Sequence, residues 1–255
     1  TVTGGNATGA ASSAAVLTAG NSNVEFIIEN CHVSNSAIVS GPQEGENGGS
    51  YAAGLVGRCN NADAIVRNCS VTNSTINSAW ANAGGVVGYV GNGLLDGILS
   101  SNNTVTAENS GLVGGVLAGM GGGSLINIVS KDNVCSVKTV SCGGVIGACT
   151  SDDAKIINVF SDGNTVKSNK HANLLFLGLI MGTDGNVRTT LLANSLVLTG
   201  TAEYVFTPST SGDKSYNFAG GIGVALGYGA ATVESGYYFQ NYRTRFDLAY
   251  SVDAV

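Results

Sequence analysis

Charge is what this 255-residue chain has least of. Asp, Glu, Lys and Arg together make up 11% of it, against about a quarter in an ordinary domain. Exposed helices draw their surface from Glu, Lys and Arg. A chain that fills its polar positions with Asn, Ser and Thr instead favours strands and tight turns. The net charge is −6, no Lys or Arg precedes Arg58, and no basic patch forms. A nucleic-acid partner is therefore not expected. No apolar run approaches the roughly 18 residues of a spanning helix, so membrane insertion is not expected either. Histidine occurs twice and proline twice. No CxxC, HExxH, P-loop or GxSxG motif is present, so neither a metal nor a cofactor is expected. The chain begins at Thr1 without Met and shows no signal peptide, as a processed or truncated product is expected to.

What is abundant is glycine, at 38 residues, and apolar residues, at 44%. That is enough to bury a core and argues against wholesale disorder. The glycines are periodic. The segments beginning at Gly84 (GGVVGYVGNGLLDGILSSNNTVTA) and Gly114 (GGVLAGMGGGSLINIVSKDNVCSV) align without a gap at an offset of 30. A third copy begins at Gly143 with two extra residues in its loop. Each unit holds two boxes. The first is Gly, two apolar residues and a small residue, starting at Gly54, Gly85, Gly115, Gly144 and Gly178. The second opens on Asn30, Asn68, Gly97, Asn127, Asn158 and Asn194.

Columns through the second box carry the fold prediction. Two residues before its start stand Ile28, Val66, Leu95, Leu125, Ile156 and Leu192. One after it stand Cys31, Cys69, Ile98, Ile128, Val159 and Ser195. Eight after it stand Ile38, Ile76, Val105, Cys135, Val166 and Ala202. Five after it the residues are Asn35, Asn73, Asn102, Asp132, Gly163 and Thr199. Aliphatic columns read as inward stacks and the polar column as an outward face or a turn. The pattern predicts an all-β fold, a parallel β-solenoid (β-helix) of about six to seven rungs with a period of about 30 residues. One turn of chain per repeat places equivalent residues about 4.8 Å apart.

These repeats resemble the GLUG-motif family, named for a Gly-Leu-apolar-Gly core. GLVG stands at Gly54–Gly57 and again at Gly111–Gly114, and the I/V-x-N box follows the family style. The resemblance spans roughly residues 15–200. It implies β-solenoid segments of secreted or surface proteins, often adhesins, and it implies no catalytic residue.

Beyond the repeats the composition changes. Residues 1–202 read as the solenoid and 203–255 as an aromatic-rich terminal rung, cap or assembly segment. Eleven of the seventeen aromatic residues follow Glu203, and Tyr237, Tyr238, Phe239, Tyr242, Phe246 and Tyr250 crowd together as a candidate assembly interface. A solenoid must cover its last rung because an open one is a sticky edge. The loops Ser40–Gly49 and Thr207–Ser215 read as surface insertions.

The reactive residues read as structural. Cys31 and Cys69 share a column in successive rungs, and Cys135, Cys142 and Cys149 lie close along the chain. All five are candidates for a disulfide or a thiol stack. Cys59 and Cys149 share a column three rungs apart, about 14 Å, too far to bond. Asn73 and Asn102 head glycosylation sequons in one polar column. Asp152, Asp153 and Asp162 are the nearest approach to an acid cluster, and SDD and SDG read as turns. His32 sits in a repeat column and His171 has no partner motif, so no enzyme is expected. The reading that follows is an extracellular, cell-surface structural or adhesive module. It would pair end to end with itself, as a filament subunit, or with neighbouring domains of a larger surface protein. The alternatives are a ligand-binding solenoid for glycans or ice and, more distantly, a β-helix enzyme acting on polysaccharide.

Overall fold

In a computed structural model, side chains are described for residues 13–18, 24–41, 50–109, 111–138, 141–151, 153–167 and 181, and backbone strands reach Phe239. The described residues form an all-β, parallel β-solenoid of about four turns with no helix. The second turn shows the plan. A long strand, Ile65–Thr72, is followed by a short strand, Thr75–Ser78. A third strand, Asn82–Gly84, and a fourth, Val87–Val90, close the coil. The next long strand then starts at Leu94. Every strand of this coil pairs in parallel with its equivalent one repeat later.

The two signature positions of each repeat are backbone devices. The box residues Asn30, Asn68, Gly97, Asn127 and Asn158 all have positive φ, between 52° and 64°. Residues Asn35, Asn73, Asn102, Asp132 and Gly163, five further on, have φ between 50° and 64°. Only Gly, Asn and Asp enter this left-handed region readily, which explains the composition of both columns. The first device resets the alternation of the long strand. A regular strand would bury Val66, Asn68 and Ser70. The left-handed Asn68 instead lets Val66, Cys69 and Val71 all point inward. That is why aliphatic columns stand both two before and one after the box. The second device turns the corner into the short strand.

The Gly-apolar box is a tight arc between third and fourth strands. Leu55, Val86, Val116 and Val145 drop from it into the core at zero exposure. Their backbone N–H groups climb the stack, Leu55 to the Val86 carbonyl, Val86 to Val116 and Val116 to Val145, at 2.9–3.0 Å. A Cβ at Gly85 would collide with the Gly115 carbonyl of the next arc, so no other residue fits there. The third strands lie over the fourth, and Leu117–Met120 and Ile146–Cys149 are buried at every residue.

The aliphatic columns are confirmed as inward stacks. Val66, Leu95, Leu125 and Ile156 are in register and at most 1% exposed. So are Ile38, Ile76, Val105, Cys135 and Val166, and the last of these pairs with Ala202 as expected. Each fully buried Leu or Ile contributes about 1.5–3 kcal/mol.

The final copy departs from the expected alignment. Leu191, not Leu192, pairs with Ile156, and Val197, not Leu196, pairs with Phe160. Two more residues separate Leu191 from Val197 than separate Ile156 from Phe160. At the next corner Asp162 and Gly163 face the single residue Thr199. A β-branched residue is a poor occupant of the left-handed region that Gly163 takes, and the corner loses a residue there. Gly178 aligns with Gly143 rather than Gly144. The two GLVG segments are not equivalent either. Gly54–Gly57 spans the arc, whereas Gly111–Gly114 is a third strand.

Candidate assembly edge and the polar brace behind it

The first coil is the place where the core opens. Its long strand is split into Ile27–Glu29 and His32–Ser34. Among the described residues, the pairs of both segments are all with Ile65–Thr72. Ile28 and Cys31 occupy the same columns as Val66 and Cys69, yet they and Phe26 are only partly buried. Around them Leu17 is 50% exposed, Val24 69% and Ile27 57%. The other strands of this coil are already paired on that side, by Val2–Thr3, Ala14 and Thr18–Ser22, so among the described residues the long strand is where a row of strand hydrogen bonds is still to be made.

Deeper in the stack the interior is partly polar. Asn103, Asn133 and Asn164 are essentially unexposed and stacked one per turn. Each side-chain oxygen accepts the backbone N–H of the residue below it, Ser74, Asn103 and Asn133 respectively, at 2.9 Å. Each amide nitrogen donates to a carbonyl of the previous long strand, Val71, Ser100 and Ser130, at 2.8–3.0 Å. It also donates to the serine three residues earlier, Ser100, Ser130 and Ser161. Ser100 and Ser130 pass the bond across the coil to the arc carbonyls of Gly115, at 2.5 Å, and Gly144, at 2.6 Å. The ladder therefore braces the corner, the long strand and the arc against one another. Its sequence signal is Ser-x-x-Asn at 100–103, 130–133 and 161–164. The column beside it, five after the box, is polar and exposed; this one, six after, is polar and buried.

All six cysteines are thiols, five of them buried and Cys31 half-buried. Cys31 and Cys69 stack as their shared column requires, and the Cys31 N–H points at the Cys69 sulfur at 3.5 Å. Cys135, Cys142 and Cys149 sit on three successive strands of one coil. Burial, reinforced by its contact with Cys135, holds the Cys142 thiol well above its ordinary pKa. Burial alone pushes Cys59 up to about 11. These are packed, protonated side chains rather than poised nucleophiles. Cys59 and Cys149 do share a column, through Val90 and Met120.

The remaining sequence candidates are scattered. Asn73 and Asn102 are both exposed, at left-handed corners of adjacent rungs. His32 is exposed and hydrogen-bonds Ser70 at 2.8 Å. Asp153 lies in a turn whose N–H reaches Ser151, and Asp162 pairs with Lys131 at 3.2 Å. Arg58, the first basic residue, lies over the rings of Tyr51 and Tyr89, at 5.8 and 5.1 Å. Tyr238–Phe239 is a strand antiparallel to Leu226–Glu234, the one antiparallel pairing among the described strands. Tyr237, Tyr242, Phe246, Tyr250, Asp152, His171 and the loop Thr207–Ser215 lie outside the described residues, as does most of Ser40–Gly49. Among the described residues no three His, Cys, Asp or Glu side chains converge as metal ligands would.

Compared with known proteins, the chain matches no family model, no curated protein and no solved structure.

Proposed function

We propose that this chain is an extracellular, cell-surface structural or adhesive β-solenoid module that extends by adding rungs at its ends, as a filament subunit or against a neighbouring domain. One observation carries the reading. The first long strand leaves core unfinished, with Ile28 only partly buried beside a second coil whose Val66 is at zero, and Leu17, the arc residue next to the buried Leu55, is 50% exposed. Exposed apolar edge strands are templates for further pairing. A solenoid that adds copies head to tail need not close. The GLUG-like repeats and the low charge fit a surface module. In this reading the stack continues to six or seven rungs and the aromatic segment 203–255 is its far cap or the matching end. The chain acts by shape and cohesion rather than catalysis.

The test is the assembly state of the full chain. Electron micrographs and sedimentation should show end-to-end association that Leu17→Lys abolishes while the melting temperature stays within a few degrees. A wild-type chain that remains monomeric at high concentration would overturn the reading. A second reading, ligand binding to glycan or ice, has one observation of its own. Thr75, Thr104, Thr165 and Thr201 are in register on the short-strand face, with Val134 interrupting them. Thermal hysteresis and glycan-array binding test it directly.

A further inference from the structure

The outer face of the long strands changes character along the stack. The column one before the box runs Glu29, Arg67, Asp96, then Ile126 and Ile157, all in register. The column two after it runs His32, Ser70, then Leu99, Val129 and Phe160. Their chain neighbours Leu125, Ile128, Ile156 and Val159 fill the core, so these apolar side chains stand on the outside. Leu99 is 37% exposed. The first two coils thus present an ion pair, Arg67 with Glu29, where the fourth and fifth long strands present branched aliphatics and a phenyl ring. A contiguous apolar strip on an otherwise polar surface marks an interaction site.

The groups between the two columns are already satisfied. Asn158 donates to Asn127 at 3.0 Å and Asn127 to Asp96 at 2.9 Å. Covering the strip therefore leaves these amides with their partners, which removes most of the penalty of taking polar groups out of water.

We propose that the strip is where a second copy of this chain packs side by side, long-strand face to long-strand face. A two-fold axis lying in the plane of the strip, along the stack and midway between the two columns, lays Ile126 against Val129 and Ile157 against Phe160. The patch is thus self-complementary, as an isologous contact requires. Leu192 and Val197 continue the two columns in backbone register, making four rungs from Leu94 onward. Four rungs by eight residues is about 19 by 26 Å. That gives roughly 500 Å² per copy and about 1,000 Å² in all, the lower limit for a specific interface. The contact is accordingly a weak, concentration-dependent one that joins solenoids laterally.

The experiment uses the full chain carrying Leu17→Lys, so that end-to-end addition does not contribute, and reads sedimentation equilibrium. A dimer is expected, and Ile126→Arg with Val129→Ser should weaken it at least tenfold. Both replacements are of a kind these columns already carry at Arg67 and Ser70, so the fold should hold, with an unchanged melting temperature as the check. A dimer indifferent to the double replacement overturns the proposal. So does a monomer at all concentrations. Maleimide labelling at Val129→Cys then says why: a reactive thiol means a bare strip, and a protected one means that this chain's own aromatic segment covers it. End-to-end filaments of the wild type bear on the edge alone, so the two readings fail separately.

Discussion

The second and fourth coils share one backbone and have different interiors. In the second, Val71 points inward and Ser74 follows the corner; in the fourth the same positions hold Ser130 and Asn133. The two columns change together. Val33 goes with Ser36 and Val71 with Ser74, whereas Ser100, Ser130 and Ser161 go with Asn103, Asn133 and Asn164. The pairing has a physical cause. An Asn at the corner brings a buried amide whose second proton needs an acceptor, and a serine three residues earlier supplies it at 2.9–3.0 Å. With Val there, the corner residue is the smaller Ser74, which satisfies itself on the Thr72 carbonyl at 2.8 Å and receives the Ser36 N–H at 3.1 Å. Buried polar groups come as complete sets or not at all.

The comparison breaks most visibly at the fourth coil. Asn133→Ala removes a carbonyl that holds the Asn103 N–H and an amide that holds the Ser100 carbonyl and the Ser130 hydroxyl. Leaving such groups buried without partners costs about 1–3 kcal/mol each, so a loss of about 4 kcal/mol in urea unfolding is expected. Ser74→Ala in the second coil should lose only about 1 kcal/mol. Equal losses at the two sites would show that the ladder adds nothing beyond a local corner bond.

The next contrast is between covered and uncovered core. Leu125→Ala opens a cavity at zero exposure and should cost about 3 kcal/mol. Ile28→Ala, in the same column at the first coil, should cost about 1 kcal/mol because that side chain is only partly buried. The gap should narrow in assembled material if the edge is covered there. Unfolding measured on dilute and on assembled chain gives both values.

How much of this could be read from the sequence follows from the kind of position. Columns fixed by a single side-chain demand were legible. Val66, Leu95 and Leu125 recur because only aliphatics fill the stack. Asn73 and Asn102 recur because few residues take a left-handed backbone, although the sequence alone could not tell that turn from an outward face. Positions defined by a pair were not legible one column at a time. The ladder is a correlation between Ser130 and Asn133, hidden inside a stretch where Asn and Ser are everywhere. The alignment of the last copy also failed, because its offset from the copy before runs 35 at Leu191, 37 at Val197 and 36 at Ala202, so no single spacing aligns it. The open first coil was illegible for a different reason. Exposure depends on what lies alongside, and Ile28 and Val66 look alike in sequence.

Alkaline pH should separate the thiol-bearing coils from the rest. Burial raises the pKa of Cys59 from near 9 to about 11 and holds that of Cys142 well above 9. Between these values the unfolded chain gives up thiol protons that the folded chain keeps. The unfolded state then binds fewer protons, and stability falls as pH rises. Below pH 9 both states are protonated and these groups contribute no slope. The urea midpoint should therefore hold steady to about pH 8 and fall between about 9 and 11, less steeply in Cys59→Val with Cys142→Val.

The smallest expected effect probes the left-handed column itself. Gly97 stands in the third coil where Asn68 and Asn127 stand in its neighbours, all at φ between 52° and 64°. If backbone conformation alone selects these residues, Asn127→Gly should be within a few tenths of a kcal/mol of wild type, whereas Asn127→Ala should lose about 1–2 kcal/mol through strain. The amide also bonds Asp96 and Asn158 on the surface, but exposed hydrogen bonds of this kind exchange readily with water. A glycine variant as unstable as the alanine variant would move the weight from the backbone to that outer amide row. The Gly97 coil, which interrupts the row without loss of register, argues that the backbone carries it.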